Sequence, residues 1–239
     1  MKMPDIDWPA TVQPVLGESA DEIAGQLADA VAGQLEQALA TRERASLALS
    51  GGSTPKPFFE KLRDKPLDWS RVDVTLADER WVPLESSDSN ERLLREHFLQ
   101  GGAVEARFIG MKQEHESANA GQPLAEQALS ALAWPLDVLV LGMGNDGHTA
   151  SLFPDAPEID RALDPSQPDR CMALHPASQP QARLSLTRRA LENAGWVALH
   201  LKGEDKMDTL RAAMDDMKSV REMPIRLFLG LGLNLFWSP

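Results

Sequence analysis

The stretch LDVLVLGMGNDGH, residues 136–148, decides how the chain reads. Leu136 to Leu141 is a short apolar run, the mark of a strand buried on both faces. It stops abruptly at Gly142, and three glycines, Gly142, Gly144 and Gly147, fall within six residues. That density forces an irregular path at the strand end and holds His148 on a rigid base beside it. Outward from this strand the pattern alternates. Ser19 and Glu22 read as a capping box, followed by Ile23, Leu27, Val31, Leu35 and Leu39 at helical spacing. Ala45 to Leu49 reads as a strand, Pro55 to Leu62 as a helix, Val72 to Ala77 as a strand and Asn90 to Leu99 as a helix. Phe108-Ile109 reads as a short strand and Leu124 to Leu132 as a helix. Met172 to Leu174 and Trp196 to Leu201 are further strands; Thr187 to Asn193 and Glu204 to Met217 are helices. Strands alternating with helices predict an α/β fold whose mostly parallel sheet is covered on both faces. Ligands in such sheets bind beyond the carboxyl ends of the strands. Asp155 to Asp169, with its prolines, reads as a surface excursion, and the segment after Pro224 has no clear assignment.

Composition narrows the function. With 239 residues, 43% of them hydrophobic, the chain is long enough for a proper core, and it is taken as a single domain, 1–239. Mean hydropathy is −0.30 and no apolar run reaches the length of a membrane span. Met1 to Asp7 is polar and acidic around Ile6, without a signal-peptide layout, so a cytoplasmic location is expected. The lone Cys171 excludes an internal disulfide or a cysteine metal cluster. Net charge is −12, and Arg188-Arg189 is the densest basic step, which argues against a nucleic-acid partner. An anionic ligand would need a few cations gathered locally against the overall field.

Three clusters could carry chemistry. Ser50-Gly51-Gly52-Ser53-Thr54 lies between a strand and a helix, where glycines permit close backbone approach and a helix N-terminus offers free N–H groups to an anion. It is neither a P-loop nor a dinucleotide fingerprint; the alternative is a tight turn. His148, with Asp146 two residues before it, offers a ring that can take and return a proton near neutral pH; the alternative is a helix cap. Asp78-Glu79-Arg80 ends a strand, a weaker signal. Arg183 and Lys206 are weaker still, although a cation in the first turn of a helix opposes the dipole. His97, His115, His175 and His200 read as structural or solvated. No residues have metal-ligand spacing, and no nucleophile elbow occurs.

Taken together, SGGSTP at 50–55, DERWVP at 78–83, SNERLL at 89–94, GMGNDGHTASLFP at 142–154, RLSLT at 183–187, GEDK at 203–206 and WSP at 237–239 span nearly the whole chain. In these motifs the chain resembles the 6-phosphogluconolactonase family. The resemblance implies a three-layer α/β/α fold with a Rossmann-like sheet, similar to glucosamine-6-phosphate deaminase and ribose-5-phosphate isomerase. It implies hydrolysis of a sugar-phosphate lactone without metal or organic cofactor. His148 would be the general base and Asp146 its support. Gly51, Gly52, Ser53, Arg80, Arg183 and Lys206 would hold the phosphate, and Asp78 would orient Arg80 or meet sugar hydroxyls. The partner is then a small molecule, with neither nucleic acid nor membrane, and the protein a monomer or small homo-oligomer. A deaminase would continue after the histidine toward an acidic residue, where this chain has Thr149-Ala150-Ser151-Leu152-Phe153-Pro154, and would carry tyrosine in place of Arg80. A sugar-phosphate sensor is the non-enzymatic alternative.

Overall fold

The computed structural model describes residues 6–239; Met1 to Asp5, part of the segment read for targeting signals, lie outside the described residues. The strands are β1 (Val12–Leu16), β2 (Ala45–Leu49), β3 (Val72–Leu76), β4 (Asp78–Arg80), β5 (Arg107–Phe108), β6 (Val138–Leu141), β7 (Cys171–Leu174), β8 (Arg183–Leu186), β9 (Trp196–Lys202) and β10 (Leu233–Ser238). The helices are α1 (Ala20–Thr41), α2 (Lys56–Arg63), α3 (Asn90–His97), α4 (Ala118–Leu129), α5 (Ile159–Ala162), α6 (Arg188–Leu191), α7 (Glu204–Asp215) and α8 (Ile225–Leu231). Seven strands form one parallel sheet in the order β1-β10-β9-β6-β2-β3-β5. Every residue of β2, β3 and β6 is buried, which requires cover on both faces of the sheet. Three strands, β4-β8-β7, form a separate small antiparallel sheet. No helix among the described residues is long and apolar enough to cross a membrane.

The strand order places the site. From β2 the chain moves to β3 on one side; from β6 it moves, by way of the small sheet, to β9 on the other. β2 and β6 are paired, Leu49 opposite Val140, so their carboxyl ends lie side by side at a topological switch point. The two glycine-rich loops, 50–55 and 142–148, leave the sheet there together, and Ser50 N–H donates to the Val140 carbonyl at 3.0 Å.

Several sequence expectations need correction. The helix expected at 124–132 begins six residues earlier, at Ala118, because the Ser117 side chain accepts from Ala120 N–H and caps it. Pro123 sits inside α4 rather than before it. The strand at 171–174 belongs to the antiparallel sheet. The 155–169 segment is not purely superficial, since Ala156, Ile159 and Ala162 are buried in the core. After Pro224 the chain makes α8, turns at Gly232 (φ +135°), and closes with β10 between β1 and β9.

α4 packs tightly on the Trp81 ring through Gly121. A Cβ on Gly121 would lie 2.1 Å from the Trp81 side chain. Alanine for glycine within a helix ordinarily gains about 1 kcal/mol; here overpacking, typically about 1–3 kcal/mol, opposes it. Gly121→Ala is therefore expected to lower the urea midpoint at constant m-value. A raised midpoint would show that Trp81 yields freely.

Candidate active site

Each glycine-rich loop is shaped by what it must let approach. In the first, Gly52 has φ +106°, a conformation that side chains resist. Gly51 faces Asn90, whose Oδ1 would be 1.9 Å from any Cβ there. Asn90 is fixed in turn, its amide donating to the Asp78 carbonyl at 2.9 Å. In the second loop, Gly144 lies against His148, and a Cβ on it would stand 2.2 Å from the imidazole. Gly144 N–H donates to the His148 carbonyl and Gly147 N–H to the Gly144 carbonyl, folding the loop back on itself. No helix follows His148, which removes the helix-cap reading.

The imidazole is held on two sides. Nδ1 lies 2.6 Å from Asp146 Oδ1, and the ring stacks on Phe153 with centroids 3.8 Å apart. Partial burial pushes the Asp146 carboxyl pKa up, but the hydrogen bond and charge of His148 outweigh it and hold the group below its ordinary value. An ionised carboxylate can only accept, so Nδ1 carries a proton, and in the neutral ring Nε2 is the nitrogen that holds the lone pair.

The DER cluster divides its work. Asp78 Oδ2 accepts from Ser151 Oγ at 2.5 Å. Glu79, fully buried, accepts from the backbone N–H groups of Arg80, Asn90 and Glu91, each at 2.7 Å, and so anchors the start of α3. Burial raises its pKa, partly offset by those N–H donors. Glu79 is thus a structural group. Arg80 lies directly opposite Arg183 in the β4–β8 register. Arg80 Nη1 donates to the Asp88 carbonyl and Arg183 Nη2 to Gln179 Oε1, at 2.7 and 2.8 Å, but among the described residues neither has a carboxylate partner. Arg183 is only 5% exposed, and burial pulls its pKa down. Two like charges facing each other across a strand pair are destabilising.

These groups line two adjoining cavities of about 250 Å³ each. One holds Asp78, Arg80, His148, Phe153 and Arg183. The other holds Ser53, Thr54, His200, Lys202 and Lys206. Ser50, Gly51, Gly52, Gly142 and Met143 line both, so the glycine-rich loops form the shared wall. The sequence candidates therefore converge, except that Ser53 and Lys206 stand in a different lobe from Arg80 and Arg183, and Asp146 reaches the site only through His148. Its Nζ donates to Asn145 Oδ1. Among the described residues six buried side-chain nitrogen or oxygen atoms lack a hydrogen-bond partner, and four of these, Ser50 Oγ, Arg80 Nε, Arg183 Nε and His200 Nδ1, belong to residues lining the two cavities. Sequence reasoning did not name Ser50, Asn90, Phe153, Gln179 or His200 among the site residues; Ser50, Asn90 and Phe153 lay within quoted motifs, whereas Gln179 and His200 carried no signal. Of the histidines set aside, His97 and His175 pair with Glu60 and Glu158 at 3.0 and 2.8 Å. No group of three or more His, Cys, Asp or Glu among the described residues could hold a metal ion.

Gly144→Ala should displace the imidazole from Asp146. In proton NMR the strongly shifted Nδ1–H of an imidazole bonded to a carboxylate should disappear or move sharply upfield. An unchanged signal would show that the loop absorbs the methyl group.

Comparison with known proteins adds independent findings. The family model for glucosamine-6-phosphate isomerases/6-phosphogluconolactonase matches residues 18–237. A 6-phosphogluconolactonase of Pseudomonas putida is 50% identical over 196 residues, 82% of this chain and 80% of that protein. A 6-phosphogluconolactonase of Rhizobium meliloti is 44% identical, over 83% and 86% of the two chains. Among solved structures, a 6-phosphogluconolactonase from Shewanella baltica superposes with TM-score 0.93 at 42% identity, covering 96% of this chain and 99% of that one. A monomeric glucosamine-6-phosphate deaminase superposes with TM-score 0.76 at 15% identity, covering 95% and 97%, which is a likeness of fold.

Proposed function

The chain belongs to the glucosamine-6-phosphate isomerase/6-phosphogluconolactonase family, and we infer that it hydrolyses 6-phospho-D-glucono-1,5-lactone to 6-phospho-D-gluconate with His148 as general base. The observation that carries this reading is the Asp146–His148 pair facing two unpaired guanidinium groups in one cavity at the switch point of the sheet. A δ-lactone is an activated ester, so water needs only modest help. His148 Nε2 takes a proton from water as its oxygen bonds to C1. The imidazolium, stabilised by Asp146, then gives that proton to the ring oxygen as the C1–O bond breaks. No covalent intermediate is required.

The 6-phosphate seats on the wall common to both cavities, against Gly51 and Gly52, with Ser53 beside it in the Lys206 lobe before α2. Lys206 approaches it from one lobe, Arg183 and Arg80 from the other. A phosphate dianion relieves the repulsion between the two arginines and gives their idle donors partners. Asp78, held by Ser151, faces the sugar hydroxyls. Phosphorylated sugars are retained by their charge where they are made, and we place this reaction in the cytoplasm.

The reaction is tested by generating the lactone in a coupled assay and comparing its decay with and without the protein. His148→Ala should lower kcat about 10²- to 10⁴-fold with little change in product affinity. Near-normal turnover in a folded variant would remove His148 from its role.

The phosphate assignment has a separate test. Arg183→Ala and Lys206→Ala should each cost about 1.5–3 kcal/mol of transition-state binding, roughly ten- to a hundredfold in kcat/KM, for the phosphorylated lactone. For unphosphorylated gluconolactone the same changes should matter little. Equal losses on both lactones would place the residue at the ring instead.

A further inference from the structure

The cavity lined by Lys206 has a wall that the mechanism above does not use. His200 lies on β9, one residue beyond the Leu141–Leu199 pairing that ties β9 to β6. It is 6% exposed, yet it lines this cavity beside Ser53, Lys202 and Lys206. Its Nδ1 is buried without a partner, and the Phe58 ring of α2 meets it edge to face with centroids 5.9 Å apart. Burial pushes its pKa down to about 4, so the ring is neutral at physiological pH. A neutral imidazole has one N–H to give and one lone pair to fill. Leaving Nδ1 idle inside a fold is costly, and an apolar side chain would fill the space between β9 and α2 at no such cost. Ser50 Oγ, on the same cavity wall, is idle as well. Two unmet polar groups beside two lysines and the start of a helix describe a wall built to meet an anion.

We propose that His200 is a ligand-binding residue of this enzyme: its imidazole N–H donates a hydrogen bond to an oxygen of the substrate's phosphate that faces the Lys206 lobe from the shared wall. This rests on the reading that the 6-phosphate occupies the shared wall. The role is one of affinity, not proton transfer, since the ring stands on the opposite side of the glycine loops from the Asp146–His148 pair. The groups that face it are Lys202 at the end of its own strand, Lys206 from α7, the Ser50–Pro55 loop and the Phe58 ring from α2. No carboxylate lines the cavity, so the imidazole has no acidic partner competing with a phosphate.

The experiment compares wild type, His200→Phe and His200→Gln. Phenylalanine keeps the ring packed on Phe58 but removes both nitrogens; glutamine restores a donor of similar reach. KM for the phosphorylated lactone, and the inhibition constant of 6-phosphogluconate, should rise about five- to tenfold in His200→Phe with kcat within twofold. His200→Gln should recover most of that loss. Unphosphorylated gluconolactone should be hydrolysed equally by all three. Melting temperature should not fall in His200→Phe, because an idle buried polar group has been removed. Calorimetric titration with 6-phosphogluconate gives the affinity without turnover. If the wild type failed to hydrolyse the lactone, the proposed reaction would fall, whereas wild-type activity with unchanged KM and affinity in His200→Phe would overturn the role of His200 alone. Equal loss on both lactones would also overturn it, by placing His200 at the ring or in the fold.

Discussion

The pairing of β2 with β6 at the middle of the parallel sheet is the constraint on which the rest of the site depends. Parallel neighbours end at the same edge, and these two send their chains away in opposite directions. The gap between their departing loops cannot be closed by either one. Both strands are buried throughout, so their ends cannot shift without disturbing the core. Glycines then let the loops approach Asn90 on one side and His148 on the other. The small antiparallel sheet supplies what the large sheet cannot. Hanging from β3 through Ala77, it brings β4 and β8 across the opening, with Arg80 and Arg183 side by side.

An acidic protein that binds an anion must separate its local from its global electrostatics. At −12 overall, long-range attraction works against a phosphorylated substrate. Screening confines that effect to about 8 Å at physiological salt, so contact-range groups decide binding. The site supplies them by withholding partners. Carboxylates are abundant, yet they pair with other cations, Asp73 with Arg44 and Arg107, and Glu91 with Arg95. Glu79, the neighbour of Arg80 in the chain, is turned toward the backbone of α3 instead.

Much of this was legible in the sequence where one physical signal acted alone. β2 and β6 are apolar runs ending in glycine, and both were readable with their loops. The Asp146–His148 pair is local, so its geometry followed from two residues of spacing. Elements that depend on partners were not readable. β1 contains Pro14, tolerable because the strand lies at the sheet edge. β4 and β8 are three and four residues long and of mixed polarity. The start of α4 was placed six residues late because the Ser117 cap, ahead of a proline inside the helix, was not read as one. The motif resemblance assigned Arg80, Arg183 and Lys206 together to a phosphate; all three line cavities at the switch point, but two lobes separate Lys206 from the arginines. His200, a lone polar residue in an apolar strand, looks structural until its missing partners are seen.

The Arg80–Arg183 register pair has a consequence for the cell as well as for the reaction. The two facing guanidinium groups place a repulsion across the hydrogen-bonded pairs of β4 and β8, and any dianion lodged between them removes it. With the phosphate seated as proposed, the small sheet is by mass action most secure when sugar phosphate is plentiful and loosest when it is scarce. The lifetime of the folded protein, and its exposure to proteases, would thereby follow the supply of the compound it consumes, with no dedicated regulatory element.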